Sequence, residues 1–210
     1  DRLTPIEETL RALDDFVRAG KVRYVGCSNF AAWQIAHALG ISERERLARF
    51  EVTEAYYSVA VRDIEREIVP MALDRNVGVM VWGALLGGIL TGKYKRDGEL
   101  PGGTRFSGGV WMPFDKERTF NTLDVLTRIA SEKGATPGQI AIAWLLHQPV
   151  MTSVAFGSRT VAQLDSNLAA TKIALSAEEL AAIGKVSALP DEYPQWKLAE
   201  AYGDRPDPTA

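Results

Sequence analysis

Apolar side chains recur along this chain at two spacings, and the switching between them sets out its architecture. Ile6, Leu10, Leu13 and Val17 fall at helical intervals. Thr4-Pro5-Ile6-Glu7 precedes them as a capping box, with Thr4 as N-cap and Pro5 at the first helical position. Gly20 closes that helix after Arg18. Residues 22–26 read as a strand, about 31–39 as a helix trailing into a polar segment at 42–46, and 50–59 as a second strand. Residues 63–75 predict a helix with Ile64, Ile68, Met71 and Ala72 on one face. Residues 77–86 are almost unbroken apolar sequence, as in a parallel strand buried on both faces.

The rhythm then breaks at a Gly-rich loop, about 87–113, carrying Lys93, Lys95, Arg96 and Arg105. Helices at about 116–133 and 137–147 follow, the second opened by the capping box Thr136-Pro137-Gly138-Gln139. A short strand at 151–157, a helix at 160–170 and a closing helix at 176–186, capped by Ser176 with Glu179, complete the pattern. The tail after Pro190 reads as irregular. Four strands, each followed by helix, predict either an open doubly wound sheet or part of a closed (β/α)8 barrel. No G-x-G-x-x-G follows the first strand, which counts against a dinucleotide-binding domain of the doubly wound kind. Four units cannot close a barrel that takes eight, so the chain reads as half of one. It also starts at Asp1 without an initiator Met, as if cut from something longer.

Composition narrows the function classes. The 210 residues suffice for one sizeable core, and their net charge of −3 is spread over interspersed acids and bases. No basic stripe offers itself to nucleic acid, and no apolar run is long enough for a membrane helix. The one cysteine, Cys27, excludes an internal disulfide and fits a cytoplasmic setting. His37 and His147 lie in separate helices without companion ligands, so no metal site is expected.

The densest chemistry lies in Arg23-Tyr24-Val25-Gly26-Cys27-Ser28-Asn29-Phe30. Strand ends on one face of a barrel are where ligands are met, and a Ser-Asn pair there offers a hydroxyl and an amide to a flat carboxamide. The same two residues also suit a turn that caps the next helix. This segment, with residues 20–22 before it, residues 81–94 (Val-Trp-Gly-Ala-Leu-Leu-Gly-Gly-Ile-Leu-Thr-Gly-Lys-Tyr), and Gly157-Ser158-Arg159-Thr160 with Gln163 and Asn167, resembles the C-terminal part of an aldo-keto reductase. The resemblance implies a single NADP(H)-linked (β/α)8 TIM-barrel domain over residues 1–210, present as its C-terminal half and lacking its N-terminal part. It implies hydride transfer between the cofactor and a small aldehyde or ketone. A potassium-channel β-subunit-like regulatory protein, which binds cofactor with little turnover, is the alternative.

The resemblance assigns cofactor contacts residue by residue. Ser28 and Asn29 match the carboxamide-holding pair, and Trp82 matches an aromatic that stacks on the nicotinamide; packing in the core is its other reading. Gly83, Ala84 and Leu85 stand where backbone approaches the pyrophosphate. Lys93 and Arg105 match a phosphate-covering belt, and Gly157, Ser158 and Arg159 the phosphate end, where Arg159 favours NADP over NAD. Gln163 and Asn167 match the adenosine end, although Gln163 also completes a capping box with Thr160. Cys27 matches a small buried filler. Glu54 stands where the family commonly has Gln; its carboxylate would favour the oxidised, positively charged nicotinamide. The family's proton-transfer residues, an Asp, Tyr, Lys and His, come from the other half-barrel, so no catalytic residue is assigned in this chain. Tyr24, Tyr56 and Tyr57 lack the close cation that acid chemistry requires.

Overall fold

The computed structural model describes residues 3–98 and 102–202. Its elements are α1 (Ile6–Arg18), β1 (Val25–Ser28), α2 (Ala32–Glu45), β2 (Phe50–Tyr56), α3 (Ile68–Arg75), β3 (Gly78–Trp82), α4 (Lys116–Lys133), α5 (Pro137–Leu146), β4 (Met151–Val154), α6 (Val161–Ala169), α7 (Ala177–Val186) and α8 (Gln195–Tyr202). All strand pairs are parallel, and the sheet order β1-β2-β3-β4 follows the chain. A doubly wound sheet reverses its strand order at a switch point, and this sheet does not. With each strand added on the same side, right-handed crossovers put the helices on one face. That is the arrangement of a barrel segment.

Burial along the strands confirms a one-sided sheet. Thr53, Ala55, Val79 and Val81 are buried beneath the helices. Their neighbours Glu54, Tyr56, Met80 and Trp82 are half-buried, and Gly26, Ser28 and Ser153 are exposed. Register aligns Ser28 with Glu54, Glu54 with Met80, and Tyr56 with Trp82, so these residues share the open, inner face. The apolar run at 77–86 is therefore not covered on both sides: β3 alternates, because this chain places helices against one face only. Gly26 lets β1 approach β2, since a Cβ there would lie 2.5 Å from the Val52 carbonyl oxygen.

Several element ends differ from the sequence pattern for identifiable reasons. Pro5, not Thr4, is the cap residue of α1, its carbonyl accepting from the amides of Glu8 and Thr9. β1 starts at Val25 because the amides of Lys21 and Val22 still bond the Phe16 carbonyl at the end of α1. α2 runs through the polar segment, burying Ser42 and, just before it, Ile41, and stops where Arg46 turns left-handed (φ 56°). β2 stops at Tyr56, where Ser58 and Val61 form a tight bridge. The helix expected over 63–75 is split into a 3-10 turn, Asp63–Glu65, and α3. Pro70 explains this: a continuous helix would drive its ring against the Arg66 carbonyl, whereas a start at Ile68 leaves it in the first turn. β4 ends at Val154 rather than Gly157. The tail is not wholly irregular, because α8 docks through Gln195 Nε2 on the Arg66 carbonyl (3.2 Å) and Glu67 (3.0 Å). The side-chain caps predicted at Thr136, Thr160 and Ser176 are made, but the box at Thr160 is not completed, because Gln163 Oε1 accepts from the Arg159 amide instead.

Candidate cofactor groove at the strand ends

The C-terminal ends of β3 and β4 open onto a groove of about 1090 Å³. Of the residues that sequence reasoning nominated, Trp82, Gly83, Ala84, Leu85, Lys93, Arg105, Gly157, Ser158, Arg159, Gln163 and Asn167 all line it. They come from chain segments on both sides of α4 and α5. Ser28, Asn29 and Glu54 lie beside this groove rather than in its wall, on the inner face and strand end of β1 and β2.

Trp82 joins the two groups. Its indole Nε1–H donates to Asn29 Oδ1 at 3.0 Å, and the Asn29 amide N–H donates to the Glu54 carbonyl at 3.1 Å. Asn29 adopts φ 58°, a left-handed conformation that Asn tolerates. With Oδ1 engaged, the Asn29 Nδ2 donors have no partner among the described residues. The Trp82 ring stacks on Tyr56 with centroids 4.6 Å apart, and Trp111 lies nearly parallel to Trp82 at 6.4 Å. Tyr56 fits there because Gly83 has no Cβ; one would lie 2.7 Å from the ring, and φ 78° at Gly83 is itself a glycine conformation. The side chains of Ser28 and Glu54 have no hydrogen-bond partner among the described residues.

The far end of the groove is cationic and ends on helix N-termini. The Arg159 guanidinium donates to the Gly103 carbonyl at 2.9 Å, tying the long loop to the start of α6. Gln163 acts as a cap: its amide N–H donates to Thr160 Oγ1 and its Oε1 accepts from the Arg159 amide. Asn167 donates to Ser158 Oγ at 3.3 Å. Lys93 lies over Gly88 and 5.3 Å from the Tyr94 ring centroid. Free amides at the start of a ten-residue and a nine-residue helix (α5 and α6) and three basic side chains suit a phosphate-bearing ligand. Thr136 and Gly138 also line the groove; the sequence signalled their helix start but not its neighbours.

The tyrosines are poor acids here. Burial, and then the Asp63 charge, push the Tyr56 phenol above its ordinary range, and burial with the Glu65 carboxylate does the same to Tyr57. Burial likewise raises the Cys27 thiol. Among the described residues no group of His, Cys, Asp and Glu is arranged to hold a metal, and no helix is long and apolar enough to cross a membrane.

Comparison with known proteins agrees with the sheet order. The Aldo/keto reductase family model matches residues 1–188. The chain is 36% identical to the Bacillus subtilis protein named "Uncharacterized oxidoreductase YrpG", over 86% of this chain and 53% of that protein. It is 31% identical to versiconal hemiacetal acetate reductase of Aspergillus parasiticus, over 86% of this chain and 52% of the other. It is 32% identical to a putative voltage-gated potassium channel subunit beta of Schizosaccharomyces pombe, over 82% and 52% respectively. The chain thus spans about half the length of these curated relatives.

Proposed function

The chain belongs to the aldo/keto reductase family, and from that premise we propose that the complete protein is an NADP(H)-dependent reductase of small aldehydes or ketones. Residues 1–210 would belong to a single barrel domain, supplying its cofactor-holding half. The observation that carries this reading is the groove: the Trp82 indole at one end, and Arg159, Lys93 and Arg105 beside helix starts at the other. NADP(H) fits that layout, with nicotinamide at one end, a central pyrophosphate, and a 2′-phosphate on the adenosine half. The bound cofactor supplies the hydride. Trp82 would hold one face of the ring, leaving the other to substrate, while Ser28 and the Asn29 amide fix the carboxamide. Gly83 and the backbone after it admit the pyrophosphate, and Arg159 takes the adenosine 2′-phosphate through forked N–H donors. Gln163 and Asn167 border the adenosine end. Tyr56 and Tyr57, their phenols pushed up by burial and nearby carboxylates, are not poised to protonate the carbonyl oxygen, so the proton would come from the remainder of the barrel.

The test is cofactor binding by the complete protein and its Arg159→Met variant, read by quenching of tryptophan fluorescence. We expect Arg159→Met to raise the NADPH dissociation constant about tenfold or more and leave that of NADH nearly unchanged. An equal effect on both would remove the 2′-phosphate assignment; binding of neither by the unaltered protein would remove the cofactor reading. The Schizosaccharomyces pombe relative named as a channel β subunit supports a second reading, a cofactor-binding regulatory subunit with little turnover. NADPH oxidation in the presence of aldehydes separates the two.

A further inference from the structure

A second concavity, of about 710 Å³, lies between the loops that follow β1, β2 and β3; it has no lining residue in common with the groove wall, but Asn29, which stands beside the groove, borders it too. Phe30, Val61, Ile64, Ile68 and Phe114 give it an apolar wall, and Arg118, in the first turn of α4, reaches it as well. Its volume falls in the range of small-molecule pockets, which pair an apolar lining with a few polar anchors.

Hydrogen bonding in its wall leaves one group unsatisfied. Asp63 pairs with Arg66 at 2.9 Å, and Asp115 Oδ1 accepts the Arg118 backbone amide at 2.8 Å as the cap of α4. Both acids therefore have a partner. The Arg118 guanidinium has neither a hydrogen bond nor an ion pair among the described residues, and its Nε is buried without a partner. A buried donor left unsatisfied is unfavourable, and guanidinium geometry matches a carboxylate. Nearby Asp63 and Asp115 disfavour a dianion such as phosphate. Tyr56 closes one side, its hydroxyl donating to the Pro113 carbonyl at 3.0 Å.

We propose that this pocket is a second ligand site, taking a small molecule with a flat or branched apolar body and a single carboxylate, which Arg118 anchors. The site does not depend on the cofactor reading. A ligand there would touch Tyr56, the residue under the Trp82 ring, and so couple the pocket to the groove.

The experiment is isothermal titration of the complete protein with 2-naphthoate and, as the uncharged control, 2-naphthalenemethanol, each with and without saturating NADPH. The expected result is saturable binding of naphthoate, at least tenfold tighter than that of the alcohol. Arg118→Met should weaken naphthoate at least tenfold, and Ile64→Trp, which fills the cavity, should abolish it. Circular dichroism and NADPH binding, unchanged in both variants, would show that the fold and groove are intact. If either variant misfolds, Phe114→Trp fills the same cavity from the loop and takes its place. Absence of naphthoate binding at millimolar concentration, equal affinity for acid and alcohol, or undiminished binding by folded Arg118→Met would each overturn the proposal. Failure of NADPH to bind, with naphthoate still bound, would leave it standing and remove the cofactor reading instead.

Discussion

Gly83 and Gly92 have nearly the same positive φ in different surroundings, and the pair isolates a packing term. Gly83 has φ 78° and a Tyr56 ring 2.7 Å from where a Cβ would lie; Gly92 has φ 81° and nothing within 4 Å. Placing alanine in the left-handed region costs about 1–2 kcal/mol at either site. At Gly83 the added methyl must also push Tyr56 away from Trp82, an overpacking penalty of about 1–3 kcal/mol. Gly83→Ala should therefore destabilise by about 2–5 kcal/mol and Gly92→Ala by only about 1–2 kcal/mol. Urea unfolding of the complete protein measures both, read by fluorescence at equal m-values. Tyr56→Leu in the Gly83→Ala background should recover part of the difference, because the two sites touch and their effects are not additive. If Gly83→Ala were no worse than Gly92→Ala, the tyrosine would not be held against the backbone, and the account of how Trp82 is positioned would be wrong.

Three further outcomes are expected. Trp82→Phe keeps the stack on Tyr56 but removes the donor to Asn29, so the NADPH dissociation constant should rise about fivefold, equivalent to about 1 kcal/mol; an unchanged constant would mean that Asn29 does not need that bond. Glu54→Gln removes the one carboxylate beside Ser28 on the inner face, and a charge about 4 Å from the ring is worth on the order of 1–4 kcal/mol. The ratio of the NADP⁺ and NADPH dissociation constants should therefore shift at least about fivefold toward the reduced form, and an unaltered ratio would show that the carboxylate does not reach the ring. Asp14, held below the usual carboxylate range by the Ala48 amide and Arg18, and Glu179, held down by the Ser176 amide and Lys133, contribute stability. That stability is complete above the unfolded-state values near about 4 and disappears as pH falls through the lower folded-state values. Asp14→Asn should lower the urea midpoint at pH 7 and flatten its decline between pH 5 and 3; a parallel curve would remove Asp14 from that account.

Periodicity made the order of elements legible, and local chemistry made most helix starts legible, as the side-chain caps at Thr136, Thr160 and Ser176 demonstrate. The errors lay where distant contacts override local signals. Val22 has a strand-forming side chain, yet its amide is claimed by the end of α1. The apolar run through β3 gave no hint that Met80 and Trp82 face an inner surface only half enclosed. α8 exists through its docking on Arg66 and Glu67, for which its own short sequence carries no sign. For the groove, motif order identified residues that the fold does bring together, but the second pocket was invisible. Phe30, Ile64 and Arg118 come from three separate loops or turns, and none carries a motif.

The crossovers between strands are unequal. Those from β1 to β2 and from β2 to β3 are short and similar, whereas that from β3 to β4, Trp82 to Met151, is about three times as long. Closing the longer connection costs only about 1 kcal/mol more in chain entropy, and α4 and α5 lie within it. The first three strands hold the Asn29–Trp82 bond and the Tyr56 stack by themselves. Arg159, Ser158 and Asn167 reach the groove only when β4 pairs with β3. The ring end of the site is thus organised by near neighbours, and its phosphate end by the strand that follows the longest connection. A dinucleotide spanning both ends would act as a clasp on that final pairing, so cofactor withdrawal should loosen β4 and α6 first, a sequence that hydrogen exchange along the chain would display.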